Sequence, residues 1–115
     1  TLPYNAGTTA SDALRMGLPV LTCSGSSYPS RMCASLLNAI KLPELVTYSI
    51  EDYESFAIEL AVNEEIYSDI KSRLASNLDD SSLFNTKLFK KNIESAYLQM
   101  NKKNLQAKEP EHFYI

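Results

Sequence analysis

Hydrophobic positions recur at helical spacing along most of the chain. Apolar residues three or four positions apart share one face of a helix, so this pattern predicts amphipathic helices. The predicted helices are one capped by Thr8 or Thr9 and ended by Gly17, one over 31–40 capped by Ser30, one that starts at 49–51 and stops at Asn63, one over 64–76 and one over about 86–104. Residues 77–82 are predicted to form a polar loop.

Two short apolar runs, 19–22 and 46–49, lie between the predicted helices. They are predicted strands, and strands that alternate with helices favour a parallel sheet with crossover helices. Because two strands make a poor central sheet, we expect an incomplete, helix-rich α/β domain whose other strands lie upstream in a longer protein. A piece of this kind could recover burial as a homo-oligomer or by exchange of elements between copies.

Bulk composition narrows the classes of function. The 115 residues carry a net charge of −3, which argues against a nucleic-acid partner. Cys23 and Cys33 have neither zinc-site nor disulfide spacing, and the one histidine, His112, lies in the tail, which excludes a His-based triad within the chain. We find no signal peptide and no apolar run of membrane length, so we expect a cytoplasmic protein without a membrane partner.

The opening stretch carries the candidate chemistry. Residues 5–7, Asn-Ala-Gly, are typical of a turn, in which Gly7 can adopt a positive φ and Asn5 is a turn former rather than a ligand. The helix that follows starts with free amides and hydroxyls, which predicts an anion site. The alternative is ordinary helix capping, in which Asp12 in the first turn only complements the helix dipole. Spacing alone leaves both interpretations open.

A series of motifs runs along almost the whole chain. The first motif is Asn5-x-x-Thr8-Thr9-x-x-Asp12-x-Leu14-x-x-Gly17-x-Pro19-Val20-x-Thr22. The later ones are Gly25 with Ser30-Arg31, Ala34-Ser35-Leu36-Leu37, Leu42-Pro43-Glu44-Leu45, Glu51-Asp52-Tyr53-Glu54, Leu83-Phe84-Asn85-Thr86 and Tyr97-Leu98-Gln99-Met100. In this order, the motifs resemble those of the O-linked N-acetylglucosamine (O-GlcNAc) transferases, above all their bacterial relatives with upstream tetratricopeptide repeats.

The resemblance implies a Rossmann-like domain, the C-terminal half of the GT-B fold, and assigns roles within it. Thr8 and Thr9 would contact the diphosphate of UDP, and Asp12 would accept hydrogen bonds from the ribose hydroxyls. Gly7 stands where animal members have a histidine, so it would contact phosphate only through its main chain. Arg31 is a weaker candidate, directed at phosphate or at a neighbouring domain, or else paired with a local carboxylate.

By the same resemblance, the parent protein would transfer N-acetylglucosamine or a related sugar from a UDP-sugar to Ser or Thr hydroxyls of proteins. Transfer would proceed with inversion and without a metal or other cofactor, and an upstream domain would bind the protein acceptor. Residues 1–104 would be a partial nucleotide-sugar-binding domain and 105–115 a C-terminal tail. The chain begins with Thr rather than Met, and we interpret it as a piece of a larger protein. Because such a piece would lack the upstream domain and a general base, we expect it to be inactive alone.

Three further points follow from the sequence. The alternative function is an interaction module that derives from the same domain and binds no nucleotide. A third possible function, that of a dehydrogenase, is poorly supported, since G-x-G-x-x-G is absent from the sequence.

The stripe formed by Phe89, Tyr97 and Met100 is predicted to pack in a core, either within this chain or against the partner domain. The adjacent Asp79 and Asp80 in the predicted loop point in different directions, so we do not expect a metal site or a glycosidase pair there.

Overall fold

The computed structural model describes residues 2–114. The chain divides into two compact units, one that ends at Phe84 and one that begins at Asn85. Strand β1 (Thr22–Cys23) and strand β2 (Val46–Thr47) pair in parallel in the first unit, with Thr22 opposite Val46 and Cys23 opposite Thr47. The predicted helix-rich α/β fold with short parallel strands is therefore confirmed.

Five α-helices accompany this small sheet along the chain. They are α1 (Thr8–Arg15), α2 (Tyr28–Ala39), α3 (Ile50–Val62), α4 (Glu64–Asp80) and α5 (Thr86–Leu105), with a 3-10 turn over Pro43–Leu45. Helix α2 connects the two parallel strands, which is the crossover arrangement that the alternating pattern predicts. Helix α5 belongs to the second unit.

The strands are shorter than predicted. The run over 19–22 contributes only Thr22 to β1, and the run over 46–49 contributes only Val46 and Thr47 to β2. A strand needs a partner along its length, and β2 is the one neighbour that β1 has within residues 2–114. Pro19 also lacks the N–H group that a ladder requires.

Several predicted helix boundaries are wrong. Gly7, not Thr8 or Thr9, is the N-cap of α1, and Ser27 rather than Ser30 precedes α2. The predicted loop over 77–82 is largely helical, since α4 continues to Asp80. The starts at Ser49 and Asn63 are confirmed, because each side chain accepts a hydrogen bond from the backbone of the following turn.

The hydrophobic core lies between α1, α2, α4 and the turn that precedes β2. Its fully buried aliphatic side chains are Leu14, Leu37, Ile40, Leu42, Leu45 and Leu74. Lys41 ends α2 with a left-handed φ of 63°, and the chain then turns into the core through Leu42. Helix α3 contributes no fully buried residue and packs only through half-buried side chains.

Helix α4 is attached to the end of α2 by polar contacts as well as by packing. The Asn77 side chain donates from Nδ2 to the carbonyl oxygen of Ile40 at 2.9 Å. Arg73 forms an ion pair with Glu44 of the 3-10 turn. The bond from Asn77 satisfies one of the carbonyl groups that a helix leaves open at its carboxyl end, and it explains why the chain stays helical beyond residue 76.

The second unit consists of α5 and the residues after it. The tail is irregular after Gln106 and Ala107, and Lys103 holds part of it through an ion pair with Glu111 at 2.7 Å. Phe89, Tyr97 and Met100 are exposed, so this stripe does not pack in a core within the described residues. Packing of the stripe against a partner domain stays a prediction. No helix within residues 2–114 has both the length and the apolar content needed to cross a bilayer.

Replacement of Asn77 by alanine tests the attachment of α4 to α2. We expect Asn77→Ala to lower the free energy of unfolding by about 1 kcal/mol more than Ser76→Ala, because only Asn77 satisfies a carbonyl outside its own helix. Ser76 is a matched control, since its hydroxyl bonds to Ser72 in α4 and both changes gain similar helix propensity. Urea unfolding followed by circular dichroism measures both; equal values would contradict the assignment.

Candidate nucleotide-binding site

The loop before α1 is tied to the first strand by the side chain of Asn5. Its Nδ2 donates to the carbonyl oxygen of Cys23 at 3.1 Å, and its Oδ1 accepts from Oγ1 of Thr22 at 2.8 Å. The backbone N–H of Asn5 donates to the carbonyl oxygen of Pro29 at 3.2 Å. Asn5 thus joins the loop to both β1 and the first turn of α2.

Thr22 extends this network across the sheet. Its carbonyl oxygen accepts a hydrogen bond of 3.0 Å from Oγ1 of Thr47, and the N–H of Ser24 donates to the carbonyl oxygen of Thr47 at 2.8 Å. The interpretation of Asn5 as only a turn former missed this role. The one sequence signal for it is a hydroxyl residue, Thr22, at the end of an apolar run, where a buried side chain needs a polar partner.

The constraint at Gly7 is limited space rather than a positive φ. Its φ is −105°, so the expected positive φ is wrong. A Cβ atom at this position would lie 3.3 Å from Cγ of Met32, a close approach that a side chain on Gly7 would have to force apart. The positive φ occurs instead at Gly17, where it ends the helix as predicted (φ 76°).

The start of α1 presents unpaired backbone donors. The first hydrogen bond of the helix is from the N–H of Ser11 to the carbonyl oxygen of Gly7, at 3.0 Å. The amides of Thr8, Thr9 and Ala10 donate to no protein acceptor within residues 2–114, and no side chain caps this end. Three donors at the positive end of a helix dipole are suited to an anion.

The threonine and aspartate side chains lie on this exposed end of the helix. Thr8, Thr9 and Asp12 are all solvent-exposed. Asp12 is the fifth residue of α1, so its expected place in the first turn is wrong, and complementing the dipole there does not explain it. Because Thr8 and Asp12 are four residues apart, they share one face of the helix.

Arg31 lies in the first turns of α2 and is exposed. It forms no ion pair with any residue of the described chain, so the local carboxylate that one alternative gave it is not found there. The structure brings the loop before α1 against the first two turns of α2, at Pro29 and Met32. Arg31 therefore lies at the start of α2, beside the loop that leads into α1, and is not part of α1 itself.

The loop from β1 to α2 packs tightly on that first turn. The N–H of Gly25 donates to the carbonyl oxygen of Ser30 at 3.1 Å, and Oγ of Ser30 donates to the carbonyl oxygen of Ser27 at 2.8 Å. A Cβ atom on Gly25 would lie only 2.7 Å from that Oγ. Any side chain at this position would therefore displace Ser30, which explains the glycine.

Two cavities lie near the sheet. One, of about 390 Å³, is lined by Leu2, Pro3, Cys23, Ser24, Gly25 and Ile50. The other, of about 110 Å³, includes Asn5, Cys33 and Tyr53 in its lining. Thr8, Thr9 and Asp12 line neither of the two, so the candidate site is an exposed helix end rather than a pocket in this chain.

The two cysteines are free thiols. Cys33 is buried, and burial raises the pKa of its thiol, although a hydrogen bond with the Thr22 side chain acts in the opposite direction. A neutral buried thiol packs as a small hydrophobic group. Within residues 2–114, no group of three metal-ligating side chains comes together, and the expectation that no metal takes part stays a prediction.

Comparison with known proteins identifies the family. The model of glycosyl transferase family 41 matches residues 2–93. A tomato (Solanum lycopersicum) protein named probable UDP-N-acetylglucosamine–peptide N-acetylglucosaminyltransferase SPINDLY is 34% identical over 100 residues, which are 87% of this chain and 11% of that protein. The Arabidopsis thaliana protein SEC, named as the same type of enzyme, is 30% identical over 112 residues, 96% of this chain and 12% of that protein.

A solved structure gives the same result. The K341M mutant of the Thermobaculum terrenum O-GlcNAc transferase superposes with a TM-score of 0.86 at 33% identity, over 93% of this chain and 21% of that one. This chain therefore spans only about a tenth to a fifth of the length of these relatives. The predicted resemblance to O-GlcNAc transferases is confirmed: the chain belongs to glycosyl transferase family 41.

Proposed function

We propose that this chain is the UDP-binding portion of a glycosyltransferase that transfers N-acetylglucosamine, or a related sugar, from a UDP-sugar to Ser or Thr hydroxyls of proteins. The observation that supports this most directly is the start of α1, with three unpaired amides and two exposed threonines. The related plant proteins are named as transferases that use UDP-N-acetylglucosamine and peptides, which supports both the donor and the acceptor.

In this proposal, the diphosphate binds at the first turn of α1. The amides of the exposed residues Thr8 and Thr9 donate to phosphate oxygens, and the two threonine hydroxyls add donors of their own. Ala10 is buried, so its amide is not assigned a phosphate contact. Gly7 contributes its main chain. By the family resemblance, Gly7 stands where animal members have a histidine, so this chain has no side-chain donor at that position. A Cβ atom there would lie 3.3 Å from Cγ of Met32.

Asp12 binds the ribose in this arrangement. It lies one turn further along the same face as Thr8, about 6 Å along the helix axis at 1.5 Å per residue. A carboxylate can accept hydrogen bonds from two neighbouring hydroxyls, which is the requirement for recognising a diol. The spacing between Thr8 and Asp12 thus follows the order of groups in UDP, phosphate and then ribose.

The contribution to catalysis is stabilisation of the leaving group. In an inverting transfer, a hydroxyl oxygen of the acceptor attacks the anomeric carbon while the bond from that carbon to the diphosphate breaks, and negative charge accumulates on UDP. Donors that are already oriented at the start of α1 stabilise that charge without rearrangement. The bonds from Asn5 to β1 keep this helix end in place.

The remaining parts of the reaction fall outside the roles we assign here. The first unit contains no histidine, since the one histidine of the sequence, His112, belongs to the second unit. We propose that the general base and the acceptor site come from other parts of a longer protein with the GT-B arrangement. The relatives, of which this chain covers about a tenth, have the length for such parts.

A titration of the ¹⁵N-labelled chain with UDP tests the assignment of Asp12. We expect chemical-shift changes confined to residues 7–12, and we expect Asp12→Asn to weaken UDP binding by about tenfold, the effect of one charge-assisted hydrogen bond. Binding of inorganic pyrophosphate should be unchanged in this variant. The matched control is Asp79→Asn, which removes the same charge from an exposed position at the end of α4.

Two results would contradict this proposal. A well-dispersed spectrum that does not respond to millimolar UDP would favour the alternative, an interaction module without nucleotide binding. If Asp12→Asn and Asp79→Asn bind UDP with equal affinity, Asp12 does not contact the ribose.

A second prediction concerns the space around Gly7. Gly7→Ala places a Cβ atom 3.3 Å from Cγ of Met32, and we expect it to weaken UDP binding through a strain of about 1 kcal/mol at the start of α1. Met32→Ala in the same chain removes the opposing atom and should restore the affinity. Isothermal titration calorimetry on the two single variants and the double variant measures this coupling. Additive losses without recovery would contradict the steric explanation.

A further inference from the structure

Helix α3 exposes hydrophobic side chains that the rest of the first unit does not cover. Ile50, Ile58 and Val62 are 53%, 56% and 78% exposed. The half-buried side chains of α3 that pack on the core, Phe56 and Leu60, lie on another side of the helix. The helix therefore has two apolar sides, and only one of them is used in the fold.

The exposed apolar residues lie along one side of α3, with Glu54 between Ile50 and Ile58. Positions 50, 54, 58 and 62 are spaced by four, which places them along one side of a helix. Glu54 occupies the second of these positions, and Glu59 lies three residues before Val62, beside the lower end of the stripe. We call Ile50, Glu54, Ile58, Glu59 and Val62 the α3 stripe. Its surface is both hydrophobic and acidic.

The surroundings of the stripe are acidic as well. Residues 42–70 contain eight Asp and Glu and no Lys, Arg or His. Of these eight, the two that form ion pairs within residues 2–114 are Glu44 and Asp69, both with Arg73. The local negative charge is therefore balanced at only one place in the described chain.

Part of this charge has a structural reason. Glu51 and Asp52 lie in the first turn of α3, and Glu64 and Glu65 in the first turn of α4, where carboxylates are stabilised by the helix dipole. Glu54 and Glu59 lie beyond the first turn and have no such role. The exposure of Ile58 and Val62 has no structural reason either. The helix dipole therefore does not explain why Glu54 and Glu59 lie beside the exposed Ile58 and Val62.

We propose that the α3 stripe is a docking surface for a cationic amphipathic helix of a partner protein. The apolar side of such a helix would cover Ile58 and Val62, and its Lys or Arg residues would face Glu54 and Glu59. Burial of the exposed side chains supplies affinity, while complementary charge selects the partner and speeds association. The helix-on-helix geometry follows the ridges-into-grooves packing that pairs of helices generally adopt.

The chemistry of the surface decides against two other occupants. An anionic membrane or a nucleic acid would be repelled by the carboxylates. A neutral apolar helix would leave Glu54 and Glu59 facing hydrophobic groups, which costs desolvation without compensation. The surface is also independent of the nucleotide site, because Thr8, Thr9 and Asp12 of α1 take no part in it.

The probe is a synthetic peptide of leucine and lysine arranged with one apolar and one basic helical face, with a scrambled peptide of equal composition as its control. Fluorescence anisotropy measures its binding to the full chain. We expect Glu54→Lys with Glu59→Lys to weaken binding by about tenfold, and Ile58→Ala with Val62→Ala to weaken it severalfold. The pair Asp79→Lys and Asp80→Lys makes the same change in net charge at the far end of α4 and should change affinity less than twofold.

Each result supports or overturns the proposal. Binding of the ordered peptide that the stripe variants weaken and the Asp79/Asp80 variant does not would support it, as would peptide-induced shifts confined to α3 and α4 in the ¹⁵N spectrum. Equal binding of the scrambled peptide, or equal losses in the control variant, would overturn it in favour of bulk charge attraction. Sedimentation velocity of the chain alone gives a third outcome: a dimer that the stripe variants dissociate would show that a second copy occupies the stripe, and the proposal would be wrong.

Discussion

The hydrogen bonds of the Asn5 side chain constrain the candidate site more than any other contact. They hold the loop before α1 against the carbonyl group of Cys23 and the hydroxyl group of Thr22, both in β1. Without them, the chain that leads into the eight-residue helix α1 would lose its side-chain bonds to β1, and the open amides of the first turn would have no fixed direction. Strand β1 pairs with β2 at only two residue positions. The Asn5 side chain therefore adds two hydrogen bonds that attach this short strand to the loop before α1.

The hydrophobic core of the first unit holds the other end of α1. Leu14 of α1 packs among the buried side chains of α2 and α4, so the far end of α1 is held by hydrophobic contact while its start is held by Asn5. Arg15, the last residue of α1, also lies over the ring of Phe84 at 5.8 Å. A short helix fixed at both ends can present its amides to a ligand without paying the entropy of ordering them on binding.

Sequence reasoning reached the fold class because helical spacing and cap residues are local signals. The starts at Ser49 and Asn63 needed only a side-chain oxygen and a following turn. It failed where distant contacts decide the structure. The helix over 64–80 runs past the predicted loop because Asn77 bonds to Ile40, 37 positions away in the sequence. At Gly7, the constraint is the nearby side chain of Met32 and not a positive φ. No local pattern contains either partner.

The candidate site shows the same division. The motif around Thr8, Thr9 and Asp12 could be found in the sequence by its likeness to one family, and the structure places all three on the exposed start and face of α1. The supporting contacts could not be found in this way, since Asn5, Thr22 and Pro29 come together only when the sheet and α2 have formed. The exposed stripe on α3 is a third case, because hydrophobic spacing alone does not tell which of two apolar sides of a helix is buried.

The central claim is that the start of α1 holds the diphosphate of UDP, and a crystal structure of the chain with UDP tests it most directly. We expect phosphate oxygens about 3 Å from the backbone nitrogens of Thr8 and Thr9, with the ribose hydroxyls at the carboxylate of Asp12. UDP bound instead in the cavity lined by Pro3, Ser24 and Ile50, with the start of α1 in contact with water alone, would contradict it.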